Sequence, residues 1–372
     1  MWALSREGCT VRAGLARSDS LSEPISRYAA LPLQVACRAV NRCATADEAR
    51  ARMLETIAHC DALLGGAKSF IRSFSGDELR LVVLPEYFLS GFPMGEDVAS
   101  WQRRACITAD GPEYAAIAEL ARRHGVYLSG NVYELDPHFP ELYFQASFIV
   151  DEKGEVVLRY RRLISMFSPT PHDVLDLYLE AYGADSLFPV VDTPLGRLAC
   201  VASEEILFPE ISRALALRGA EVLCHSSSEV GSPRLTPKNI AKRARAIENL
   251  AYVVSANSAG IRDIDLPGQS TDGHSQVVDG KGRVLAEAGP GESISGHAAI
   301  DIDGLRRLRA TPAMTNLLAR QRLELFAGTY ADAPVYPANT LAAGRSVEPP
   351  GRAHYLDVQR AVIRALRERG VI

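Results

Sequence analysis

Apolar positions along the chain change their period several times, and each change predicts an element. Leu33–Val40 reads as a first strand. Thr45 and Glu48 stand three apart, the capping-box spacing that satisfies free N–H groups where a helix begins. Met53, Ile57, Cys60 and Leu64 then share one helical face, and Gly65-Gly66 predicts the helix end. Leu79–Pro85 (LRLVVLP) is continuously apolar, as a strand covered on both faces must be. Pro112 opens another helix, with Tyr114, Ile117 and Ala121 inward and Gly125 closing it.

Strands are predicted next at Val126–Tyr133, Phe144–Asp151 and Glu155–Arg161, the last two joined at Lys153-Gly154. A further hairpin is expected from Pro189–Asp192 and Arg197–Ala202, turning through Pro194 and Gly196. Glu210–Arg218 reads as a short helix and Glu221–His225 as a strand. Pro237–Leu250 reads as a helix whose stripe is Ile240, Ala244, Ile247 and Ala251. Strands at Tyr252–Asn257, Ser275–Val278, Arg283–Glu287 and His297–Ile302 finish the block. This alternation defines an α/β class. Beyond Leu305 the pattern weakens into Pro-rich stretches (PVYPANT, VEPPG) and a final helix at Leu356–Arg369. The organisation expected is an extension over 1–30, a main domain over 31–310 and an arm over 311–372. The arm packs either across an oligomer interface or back on its own domain.

Composition narrows the function. The chain has 372 residues, 47% of them hydrophobic, and a net charge of −4 with both signs interspersed. No basic stripe points to nucleic acid, and no apolar run approaches the roughly 20 residues of a membrane span. No apolar signal segment is read in the first 30 residues. Seven cysteines are scattered without a CxxC, which fits buried thiols in a reducing cytoplasm. Eight dispersed histidines lack ligand spacing, so no metal is expected. No glycine-rich loop is placed to cradle phosphate, and no cofactor is expected.

Three strand ends carry candidate chemistry. Glu86 directly follows LRLVVLP, at the carboxyl edge where open α/β sheets place their sites. Buried there it is a candidate general base; exposed, it is a solvated or paired carboxylate. In Arg159-Tyr160-Arg161-Arg162 strand alternation puts Tyr160 and Arg162 on one face. Arg162 either points inward to stabilise negative charge or ends a solvated strand. The strand through Leu198–Ala202 stops at Ser203, and a helix follows within a few residues. That turn either exposes Ser203 as a nucleophile or uses Ser203, Glu204 and Glu205 as helix caps. Cys200, three residues earlier, falls on the opposite strand face and reads as a core thiol. His225-Ser226-Ser227-Ser228-Glu229 ends a strand at the same edge, and lines a substrate site or forms a polar loop.

These segments resemble the carbon–nitrogen hydrolase (nitrilase and amidase) superfamily. PEYFLSGFP at 85–93, RYRRL at 159–163, SEEILFPEISRALALRGAEVL at 203–223 and KRARAIENLAYVVSANSAG at 242–260 follow the family's order and spacing. The resemblance implies a four-layer α-β-β-α sandwich, assembly as a homodimer or larger homo-oligomer, and attack by a cysteine on a small amide or nitrile. It implies Glu86 as the base, Arg162 at the lysine position as stabiliser, and Ser203 at the cysteine position. It also implies a second carboxylate, aligned with Asp173; with Glu204, Ser228 and Glu229 at the same edge, these are the candidate substrate-binding residues. A thiol ionises far more readily than an alcohol, and Arg cannot release its proton. The chain is therefore expected to be a hydrolase, a catalytically impaired protein with a ligand-binding or assembly role, or an acyl- or amide-transferring enzyme.

Overall fold

A strand such as Leu79–Val83 buries both faces only if each side is covered. The computed structural model describes residues 25–229, 236–333 and 336–372. In chain order the first half holds β1 (Arg27–Pro32), β2 (Cys37–Arg38), α1 (Ala46–Ser75), β3 (Leu79–Val83) and α2 (Val98–Ala105). α3 (Pro112–His124), β4 (Tyr127–Leu135), β5 (Tyr143–Val150), β6 (Val156–Arg161) and α4 (Leu175–Tyr182) follow. The second half runs β7 (Val191–Thr193), β8 (Gly196–Ala202), α5 (Pro209–Leu217), β9 (Val222–Ser226), α6 (Pro237–Asn249) and β10 (Tyr252–Ala256). It closes with β11 (Ile261–Arg262), β12 (Gln276–Val278), β13 (Val284–Glu287), β14 (Ala298–Asp301) and α7 (Ile302–Ala310). α8 (Glu324–Ala331), β15 (Ala342–Ala343), β16 (Ser346–Val347) and α9 (Arg352–Glu368) make up the arm.

Two six-stranded sheets result, ordered β14-β1-β3-β4-β5-β6 and β13-β12-β10-β9-β8-β7. Alternation along β3 shows the layering. Leu79 and Val82 pack with Met53, Ile57, Leu64 and Ile117 of α1 and α3. Leu81 and Val83 pack with Leu198, Cys200, Val222 and Val254 of the other sheet. On that sheet's far side Ala199, Val201 and Leu223 meet Ile211, Leu215 and Ala246 of α5 and α6. The order is helix, sheet, sheet, helix, the four-layer α-β-β-α sandwich expected. β1, β3 and β4 run parallel, as do β8, β9 and β10, so β3 and β8 each bring a carboxyl end to a sheet edge.

Three expectations are corrected. The first sheet strand is Arg27–Pro32, inside what was read as the extension, and Leu33–Val40 is mostly loop. That segment is apolar because it is buried, but its N–H groups are shared among scattered partners and form no continuous ladder: Leu33 donates to the Val83 carbonyl, Cys37 to that of Gly260 and Ala39 to that of Arg262. Residues 1–24 of the expected extension lie outside the described residues. α1 continues through Gly65-Gly66 and ends at Gly76, which takes the left-handed conformation at φ 76°. α6 is turned about its axis relative to its apolar stripe: Ile240 and Ile247 are 55% and 41% exposed. Its inward face is largely polar, with Asn239, Lys242, Arg245 and Asn249 buried beside Ala241 and Ala246. Internal hydrogen bonds make this tolerable, Arg245 Nε to the Ile206 carbonyl and Asn249 Nδ2 to that of Arg245.

The arm lies on its own domain through Leu341, which joins Phe139, Leu142, Phe144, Val174 and Tyr178 in a small core. Among the described residues no helix is long and apolar enough to cross a membrane.

Candidate functional site

Glu86 sits just past β3 and is 3% exposed. Its backbone N–H donates to the Ser227 carbonyl at 3.2 Å, tying the two sheets together at this edge. Tyr87 follows in the left-handed region, φ 37°, where a bulky side chain is strained. Its N–H donates to Asn131 Oδ1 at 3.2 Å, which holds the turn. Oε1 of Glu86 accepts from Gln145 Nε2 at 2.8 Å and Arg162 Nη1 at 3.1 Å; Oε2 accepts from the Ser228 N–H at 3.1 Å. The carboxylate is buried and fully engaged.

Arg162 points inward from just past β6, on the Tyr160 face, as strand alternation requires. Nη1 also donates to Gln145 Oε1 at 2.6 Å, Nε to the Ile164 carbonyl at 2.7 Å, and Nη2 to Glu204. Burial pulls this guanidinium down, but Glu86, Glu204 and Glu205 outweigh it and hold it above its ordinary value. Glu205 braces the next turn. Its carboxylate accepts from Tyr160 at 2.7 Å and from the N–H groups of Leu163, Ile164 and Ala202. Burial raises its pKa, against the lowering pull of Arg162 and these donors.

Ser203 begins a short 3-10 turn at the end of β8, at φ 47° and 4% exposed. Its carbonyl is fixed by His225 Nε2 at 2.9 Å, while His225 Nδ1 meets Ser255 Oγ at 2.8 Å. Donation from Nε2 makes Nδ1 the acceptor, a neutral imidazole. Burial first, then the charge of Lys242, pushes His225 well below its usual value. The Ser203 hydroxyl accepts from Lys238 Nζ at 3.0 Å, and the same amine lies 3.4 Å from Ser227 Oγ. Lys238 belongs to the first turn of α6. One turn on, Lys242 is buried and its amine is lowered to about 8, by burial foremost and against the pull of Glu229.

The structure thus joins Glu86, Arg162, Ser203, Glu204 and Ser228 in one connected edge. Glu229 adjoins it, its N–H donating to Asn257 Oδ1 at 2.7 Å. Asp173 is held elsewhere: Thr170 donates to Oδ2 by N–H and hydroxyl, and Thr340 of the arm donates to Oδ1 at 2.8 Å. Cys200 is a buried thiol raised to about 12, 3.6 Å from Ser129 Oγ. Among the described residues no group of three or more His, Cys, Asp and Glu side chains is placed to hold a metal.

Sequence reasoning missed Gln145, Lys238 and the anchoring role of His225. Gln145 left a signal, an amide inside the otherwise apolar strand YFQASFIV. Lys238 left a faint one, a cation in a helix's first turn, where the dipole disfavours it.

Comparison with known proteins agrees with this architecture. Residues 35–310 match the model of the carbon–nitrogen hydrolase family. The chain belongs to that family. Deaminated glutathione amidase of Yersinia enterocolitica is 29% identical over 234 residues, 62% of this chain and 79% of that protein. The nitrilase and fragile histidine triad fusion protein NitFhit of Caenorhabditis elegans is 30% identical over 264 residues, 70% of this chain. Formamidase of Pseudomonas syringae is 30% identical over 219 residues, 58% of this chain. The chain spans 57% and 58% of the lengths of the last two. The crystal structure of Nit3 from Saccharomyces cerevisiae, of the nitrilase superfamily, superposes with a TM-score of 0.60 at 21% identity. The match covers 79% of this chain and 98% of that one.

Proposed function

We propose that the chain is an amidase-type hydrolase of a small amide, with Glu86, Arg162 and Ser203 at the family's three catalytic positions. One observation carries this reading. Three strand ends far apart in sequence converge, with Arg162 bridging Glu86 and the residue beside Ser203. Glu86 is the base of the constellation, and Arg162 supplies fixed positive charge toward a developing oxyanion. Because guanidinium keeps its protons, Arg162 takes no part in proton transfer. Glu204, Ser228 and Glu229 stand where a substrate's polar atoms are met. Asp173, aligned with the family's second carboxylate, braces the turn at Thr170 and the arm at Thr340 and takes no part in this site. Amidase and formamidase relatives favour an amide over a nitrile.

A second reading is favoured by one feature: every oxygen of Glu86 is occupied and an alcohol stands where a thiol is expected. On it the chain is a catalytically impaired member with a ligand-binding role. The test is ammonia release from a panel of formamide, short aliphatic amides and deaminated glutathione. It is run beside the matching nitriles and the Ser203→Cys, Arg162→Lys double variant. Turnover of an amide by the unaltered chain supports the hydrolase; turnover gained only in the double variant overturns it for the second reading. We also propose a cytoplasmic location and assembly as a homodimer or larger homo-oligomer; the outward Ile240 and Ile247 of α6 support the assembly, which light scattering of the purified chain checks.

A further inference from the structure

The Ser203 hydroxyl has a partner that the family motifs do not supply. Among the described residues, neither Glu86 nor Arg162 hydrogen-bonds it; the Lys238 amine does, at 3.0 Å. Glu86 is committed to Gln145, Arg162 and the Ser228 N–H. A carboxylate so placed suits a thiol, which ionises readily, better than an alcohol. A lysine amine within hydrogen-bond reach is a recurrent way of activating a serine, found on unrelated folds. Lys238 also sits at the helix end where the dipole disfavours a cation, so the needs of α6 do not account for it. The nucleophile side is rigid as well, because His225 fixes the carbonyl of Ser203 at its left-handed corner.

We infer that Ser203 and Lys238 form a nucleophile–base pair, with Lys238 in place of Glu86 moving the nucleophile's proton. The inference rests on the amidase reading above and reassigns one role within it. The amine takes the hydroxyl proton as Oγ bonds to the amide carbon and the carbonyl pair moves onto oxygen. The ammonium passes that proton to the leaving nitrogen as the C–N bond breaks, leaving an acyl ester on Ser203. Water then adds to the ester carbon and gives a proton to Lys238. That proton returns to Oγ as the ester bond breaks and the carboxylic acid leaves. The sum is amide plus water to acid plus amine or ammonia, with no further reagent. Glu86 keeps Arg162 in place throughout.

A fluorophosphonate probe tests this without any amide, since its phosphorus takes Oγ, loses fluoride and needs the same proton transfer. The adduct on the purified chain is located by peptide mass. Wild type is expected to label at Ser203, and Lys238→Met to label about a hundredfold more slowly, the low end for a lost general base. Lys238→Arg, which keeps the charge but cannot act as base, is expected to be as slow. Ethylamine added to Lys238→Ala is expected to restore part of the rate, which a structural role would not allow. Labelling of Lys238→Arg or Lys238→Met at the wild-type rate, with unchanged melting temperature, overturns the pair. So does wild type that does not label at Ser203. Normal labelling without ammonia release removes the amidase reading instead, whereas ammonia release with Ser203 unlabelled removes only the pair.

Discussion

The two sheets contribute unequal halves to the shared edge. The first brings Glu86, Gln145 and Arg162, charged or amide groups that satisfy one another almost completely. The second brings Ser203, whose hydroxyl meets one amine while its backbone is held in a strained corner. A network in which each carboxylate oxygen has a donor resists change and keeps its geometry. A hydroxyl that meets one amine among the described residues is left free to form a bond. The difference teaches that the buried acid and cation set the frame, and the reactive choice lies with the second sheet.

The sharpest way to break this contrast is Arg162→Met. It leaves Glu86 buried without its cation, and a loss of about 3–5 kcal/mol is expected in urea unfolding. A loss below about 1 kcal/mol would mean that the first half is not the frame. Next in size is an acid effect in the second half. Burial and Lys242 depress His225, so the unfolded chain binds its proton and the folded chain does not. Its contribution is complete above about pH 6.5 and is lost below it, by about 1.4 kcal/mol per pH unit. His225→Gln keeps a donor for Ser203 but does not titrate. Its urea midpoint is expected to fall less steeply than wild type from pH 7 to pH 5; parallel slopes would disprove the assignment.

Strain at the corner is tested by two variants that both lack the hydroxyl. Ser203→Gly is expected to be about 1 kcal/mol more stable than Ser203→Ala, since only glycine accepts φ 47° freely. Equal melting curves would show no stored strain there. The smallest effect is Thr340→Val, which removes one bond to Asp173. A loss of about 1 kcal/mol with unaltered amide turnover is expected, and a large fall in turnover would bring Asp173 into the site.

Much of this was legible in the residues. LRLVVLP followed by Glu, and LACVA followed by Ser, announce strands that end in chemistry, because an apolar run stops abruptly at a polar side chain. The alternation of runs gave the α/β class, and the four layers came from the resemblance to the family. β1 was hidden because RYAALP abuts a longer apolar loop, and burial alone does not distinguish strand from packed loop. The turn of α6 was unreadable because its inward face is largely polar, made tolerable by hydrogen bonds that only the folded chain supplies. Lys238 lies 35 residues from Ser203, so no local pattern links them.

Lys242 gives the edge a floor whose charge is not constant. With its amine lowered to about 8 by burial, offset by Glu229 and Glu287 and reinforced by Lys238, a near-neutral solution meets an ammonium and a mildly alkaline one meets a neutral base. Rates measured on either side of that point describe two electrostatic settings of one protein, and substrates ranked at a single acidity carry that setting into the ranking.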